Sequence, residues 1–132
     1  GAAAFAVEPD AAIAVDVTDT GDLPEMKSAM AVELGKGPAV KVMDRSVICH
    51  PQLVETLERL AGEREVPVQR DIMRGGGTDA GAIHTTRMGV LTGGVSVPCR
   101  YIHTPTEMAD LGDAAACVKL LAAFAQEELT RL

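Results

Sequence analysis

An α/β layer, a mixed sheet with helices on both faces, is the fold class this sequence predicts, and three observations predict it. Short runs of β-branched and apolar residues alternate with helical apolar stripes along the chain. Glycine and proline clusters punctuate most of the transitions between them. No period of roughly 20–50 residues recurs, which excludes a repeat architecture.

Residues 1–7 are alanine-rich and helix-compatible, with the look of the tail of a longer helix. Glu8-Pro9-Asp10 ends it, because proline disfavours helical geometry at the residue before it. Residues 11–17 form the first strand; its run Ala11-Ala12-Ile13-Ala14-Val15 reads as a buried central strand whose only charge is Asp16. A polar, turn-rich connection follows through Asp19, Gly21, Asp22 and Pro24. Gly35-Lys36-Gly37-Pro38 is a second turn and opens a short strand at residues 39–43. Asp44 and Arg45 are placed to pair locally. Residues 51–65 carry Leu53, Val54, Leu57, Leu60 and Ala61 at helical spacing, with Pro51 suited to the first turn, and predict a sheet-covering helix. The alternation in residues 66–72 predicts a strand that Pro67 makes start late or lie at an edge. After Gly75-Gly76-Gly77, Thr78 is a suitable N-cap for a short helix to about residue 87. Residues 90–97 return to strand. The closing helix, residues 113–131, is expected to pack through Val118, Leu121, Ala122, Ala125 and Leu129.

The chain has 132 residues, enough for one domain at most. Its 47% hydrophobic and 23% charged residues are those of a globular protein, and its apolar runs are far too short to span a membrane. The N-terminus lacks both an initiator methionine and the basic flank of a secretory signal, so a cleavage or fragment boundary is expected there. Cys49, Cys99 and Cys117 are odd in number and show no metal-finger spacing, which favours a reducing cytoplasm. A net charge of −7 and three aromatic residues argue against nucleic acid, and the same scarcity of rings argues against an extended sugar chain.

Two residues stand out as candidate ligands. Arg100-Tyr101-Ile102-His103-Thr104-Pro105 follows the strand-like Val95-Ser96-Val97-Pro98, so His103 should occupy a fixed loop past a strand end, where open α/β sheets keep their ligands. Asp16, 87 positions upstream, closes another apolar run. A carboxylate buried there would need a partner or a metal. Either residue could instead be an ordinary capped carboxylate or a hydrogen-bonded loop histidine. His84 reads as structural or pocket-rim, and His50 as a surface or capping residue. The glycine run ending in Thr78 and Asp79 lacks the lysine and hydroxyl of a nucleotide loop, and its simplest reading is a tight strand-to-helix turn.

Four stretches in order carry a family resemblance: Ile13-Ala14-Val15-Asp16-Val17-Thr18; Leu34-Gly35-Lys36-Gly37-Pro38-Ala39; Gly76-Gly77-Thr78-Asp79-Ala80-Gly81-Ala82-Ile83-His84; and Val95-Ser96-Val97-Pro98 running into Arg100-Tyr101-Ile102-His103-Thr104-Pro105. Together they closely resemble the second half of the tetrahedral dinuclear-metal aminopeptidases, a family of glutamyl and deblocking aminopeptidases whose members are often labelled endoglucanases. The resemblance implies a zinc-exopeptidase-like fold present as a partial domain, with residues 1–132 as the C-terminal part of the catalytic domain. The upstream half and an inserted dimerisation domain are expected to be absent. It implies metal ligation by Asp16 and His103 and substrate contact by Gly76, Gly77, Thr78 and Asp79. It further implies two divalent ions, zinc or cobalt, in the full-length enzyme, peptide substrates, and dimers building a dodecamer. The general-base glutamate is expected upstream of residue 1, so the span alone should be inactive and hold metal weakly or not at all. A glycoside hydrolase and a non-catalytic α/β peptide-binding module are the alternatives.

Overall fold

A computed structural model describes residues 1–24 and 30–128. Helix α1 (Ala2–Val7) leads into β1 (Ala11–Asp19), then β2 (Ala39–Met43), α2 (Pro51–Glu63), β3 (Gln69–Ile72), α3 (Asp79–Ile83), β4 (Leu91–Arg100), β5 (Met108–Ala109) and α4 (Leu111–Phe124). The strands form one mixed sheet in the order β1-β4-β2-β3, with β5 added to the end of β4. β1 runs parallel to β4, whereas β2 is antiparallel to β4 and carries β3 parallel to itself. The mixed α/β sheet with packed helices is therefore the architecture found.

Most elements form for the reasons their residues supply. The apolar stripe of α2 is buried along its whole length, with Leu53 and Leu57 fully sealed. Glycine at 93 in β4 leaves room there, since a Cβ would stand 2.9 Å from Ile13 Cδ1 and 3.4 Å from Leu53 Cβ. On the other face of the strand, Gly94 admits Lys41, whose Cβ would lie 3.0 Å away. β3 does start late, at Gln69.

Four expectations need correction. β1 lies at one end of the strand order, not at the centre, and Val15 and Val17 remain 59% and 40% exposed. An apolar run specifies burial without saying which part of the fold supplies the cover. β4 extends past Val97 through Pro98 to Arg100, because Pro98 falls between the stretches where β2 and β5 pair and one side of the strand there has no partner to lose. α3 ends at Ile83, well short of residue 87. α4 begins at Leu111 and buries Asp113, Cys117, Leu120 and Ala123, while Val118 is exposed; Leu129 lies outside the described residues. This helix is so rich in alanine that two neighbouring stripes are almost equally apolar, and the buried acid hid the correct one.

That acid explains the turn before β2. The Asp113 carboxylate accepts the N–H groups of Gly35 and Gly37, each at 2.7 Å, and so ties the turn to α4. Gly37 has φ 89°, and a Cβ there would fall 2.0 Å from the Pro67 carbonyl oxygen. We expect Gly37→Ala to lower stability by about 2–3 kcal/mol, from left-handed strain plus overpacking. Equilibrium urea unfolding measures it, and a change below about 0.5 kcal/mol would refute the close approach.

Candidate functional site

A cavity of ≈ 600 Å³ is walled by Asp16, Val17 and Asp19 of β1, by Met30, by residues 72–78 after β3, and by Ile102 and His103. Two antiparallel halves of the sheet contribute to it. β1 and β4 bring Asp16 and His103 from their shared C-terminal direction. Residues 73–78 reach the cavity on the way from β3 to α3, and α3 packs on β1 and β4.

Asp16 is exposed rather than buried, so its carboxylate bears no burial cost; one oxygen accepts the Val17 N–H at 2.8 Å. It also lies before the strand end, since β1 continues to Asp19. The Asp19 carboxylate turns onward and accepts the Thr20 N–H at 3.0 Å.

His103 sits on a tightly tied turn. β5 folds back on β4, pairing Cys99 with Ala109 and Arg100 with Met108, and the residues between are forced through a tight reversal. Tyr101 and His103 take left-handed backbone angles, φ 60° and 63°. Such angles cost of order 1–3 kcal/mol for a residue with a side chain and persist only where the surroundings impose them. The Glu107 carboxylate accepts the His103 N–H at 2.7 Å, and the Thr104 hydroxyl donates to the Tyr101 carbonyl at 2.7 Å. At the base of the turn Arg100 grips Asp22 with two nitrogens, at 3.1 and 2.6 Å, while Asp22 also accepts the Leu34 N–H. The Arg100 guanidinium holds the Asp22 carboxyl well below the usual carboxylate range, against the opposing effect of burial.

The glycine run lines the same cavity. Gly75, Gly76, Gly77 and Thr78 line the cavity, as the resemblance implies for the last three, but Asp79 does not: it is exposed in the first turn of α3. Thr78 occupies the N-cap position of α3 without capping it. Its hydroxyl donates instead to Asp44 at 2.9 Å. Asp44 therefore does not serve Arg45. Burial pushes its carboxyl up, but hydrogen bonds from Ser46, Thr78 and Val47 outweigh that and hold it below the ordinary value.

His50 and His84 line a second cavity of ≈ 510 Å³ beside the first residues of β4, away from Asp16 and His103. The three cysteines are free and buried, and burial pushes Cys49 and Cys117 up to about 11, which makes both thiols inert. Sequence reasoning missed Asp19, Met30, Met73, Arg74 and Ile102 as lining residues. Only Met73 and Arg74 had a signal, their position directly before the glycines.

The donors suit a divalent ion in kind, since carboxylate oxygen and imidazole nitrogen are what zinc and cobalt take. They do not suffice in number: among the described residues no group of three or more His, Cys, Asp or Glu side chains stands close enough to hold one. No described helix is long and apolar enough to cross a membrane.

The site is thus a cavity beside a mixed α/β sheet, lined by a carboxylate, an imidazole and a glycine run. The chain belongs to the M42 glutamyl aminopeptidase family, whose pattern matches residues 1–120. A relative from Acetivibrio thermocellus that bears an aminopeptidase name is 51% identical over 119 residues, covering 90% of this chain and 36% of that protein. An aminopeptidase structure from the archaeon Desulfurococcus kamchatkensis superposes with a TM-score of 0.92 at 39% identity, covering 96% of this chain and 37% of that one. The TET1 peptidase of Pyrococcus horikoshii, described as assembling into a tetrahedron or a large octahedral shell, matches with a TM-score of 0.73 at 28% identity over 95% of this chain and 37% of that one. The chain thus spans about a third of the length of the proteins it resembles.

Proposed function

We propose that residues 1–132 are the C-terminal part of the catalytic domain of a metal-dependent aminopeptidase that releases N-terminal residues from peptides. The observation that carries this reading is the meeting of Asp16 and His103, 87 positions apart, on the wall of one cavity closed by the glycine run. Each would supply one ligand toward one of two divalent ions, zinc or cobalt, with the other ligands coming from residues that the family resemblance places elsewhere. When bound, such ions would supply Lewis-acid chemistry at the scissile carbonyl and the attacking water.

Residues of this chain orient that chemistry. Glu107 fixes the turn that presents His103, and the wall of Gly76, Gly77 and Thr78 lies where the substrate backbone can approach closely. Proton transfer falls to a glutamate that the resemblance places outside the span. Assembly into homo-oligomers, dimers building a dodecamer, belongs to this reading, and the dodecamer and the larger shells formed by TET1 peptidases support its oligomeric part. The buried, unpaired thiols fit a cytoplasmic protein.

The test uses the full-length protein. Free-amine peptides and aminoacyl amides should be hydrolysed, chelation should abolish turnover, and zinc or cobalt should restore it. Turnover of a β-glucan without turnover of peptides, or activity indifferent to chelator, would refute the proposal.

A further inference from the structure

Neither Asp44 nor Ser46 lines the candidate cavity, yet both are built into its glycine wall. Asp44 is 3% exposed, and its two oxygens have different duties. One accepts from Ser46 N at 2.7 Å, Ser46 Oγ at 2.7 Å and Val47 N at 3.0 Å, which closes its own turn. The other accepts from the Thr78 hydroxyl, 34 residues away. Thr78 stands where a threonine ordinarily caps its own helix, so its hydroxyl has been diverted from α3 to the Asp44 turn. A second link runs beside the first, since Arg45 N–H donates to the Gly76 carbonyl at 3.1 Å. The two segments also touch: a Cβ on Gly77 would lie 2.9 Å, and one on Gly81 2.2 Å, from Ser46 Oγ.

We propose that Asp44 and Thr78 form a positioning pair that holds residues 75–78 at the distance from Asp16 and His103 that a substrate backbone requires. The pair rests on the aminopeptidase reading above and adds to it a source of alignment outside the cavity. Asp44 touches no substrate and acts through Thr78. Misplacing a positioning wall by about 1 Å costs about 10²-fold in rate.

The experiment compares Thr78→Val, which keeps shape and loses the hydroxyl, with Thr78→Ser, which keeps the hydroxyl, in the full-length protein. The readouts are kcat and KM on an aminoacyl amide, the thermal midpoint, and amide hydrogen exchange across residues 75–77. Thr78→Val should lose about 10–100-fold in kcat/KM with KM carrying part of the loss, leave the midpoint nearly unchanged, and exchange faster at residues 75–77. Thr78→Ser should restore kcat/KM to within about threefold and slow exchange again. The proposal is overturned if Thr78→Val keeps parental kcat/KM, if Thr78→Ser is equally impaired, or if the loss follows the thermal midpoint. Should the parent hydrolyse no aminoacyl substrate, the aminopeptidase reading fails by itself, and unchanged exchange in Thr78→Val then overturns the anchoring while faster exchange supports it.

Discussion

Replacing Lys41 by methionine is expected to lower the stability of the full-length protein by about 3–5 kcal/mol. Lys41 and Asp71 sit side by side on β2 and β3, 1% and 0% exposed, with the ammonium 2.5 Å from one carboxylate oxygen. Among the described residues the second, buried oxygen of Asp71 meets no hydrogen-bond partner, so this carboxylate depends on Lys41. Removing the lysine alone strands a buried charge, whereas exchanging both residues for apolar ones of similar volume removes the charge and its debt together. Lys41→Met with Asp71→Leu should therefore recover most of the loss. Urea unfolding of the parent and the two variants decides it, and a single variant within about 1 kcal/mol of the parent would show that the pair is not closed off from water.

An effect of similar size is expected at the candidate metal ligands. His103→Ala in the full-length protein should lose metal on dialysis and lower kcat/KM by about 10³-fold, the equivalent of several kcal/mol of charge stabilisation. Asp16→Asn keeps the shape and hydrogen-bonding reach of the side chain but not its charge, and should show a smaller loss of metal in the same direction. The span 1–132 alone should show neither stoichiometric metal nor turnover, because catalytic zinc sites need about three protein ligands each. Metal content by mass spectrometry, read beside the kinetics, checks all three. Full metal occupancy and activity in His103→Ala would remove His103 from the site.

How far these features could be read from residues alone depended on how local their causes are. The α2 stripe was legible because large apolar side chains repeat at helical spacing against charged neighbours, and every predicted member is buried. In α4 the same rule failed, since alanine fills most of the helix and Asp113 lies on the buried stripe, where it serves the Gly35 and Gly37 amides from a distance. Asp16 and His103 were legible through motif and strand pattern, and the structure places both at one cavity. Their surroundings were not. Met30 and Ile102 look like ordinary core residues in sequence, and nothing near Thr78 announces that its hydroxyl belongs to Asp44. The register Lys41 shares with Asp71 arises only when β2 meets β3.

The turn between β4 and β5 has a consequence for how a ligand would be met. Tyr101 and His103 hold left-handed angles clamped within the chain, by Glu107, by Thr104 and by the β5 pairing. The conformational cost of holding the backbone that carries His103 is therefore met during folding. A ligand met at this turn would therefore not bear the cost of ordering its backbone, whatever the imidazole side chain itself must still do.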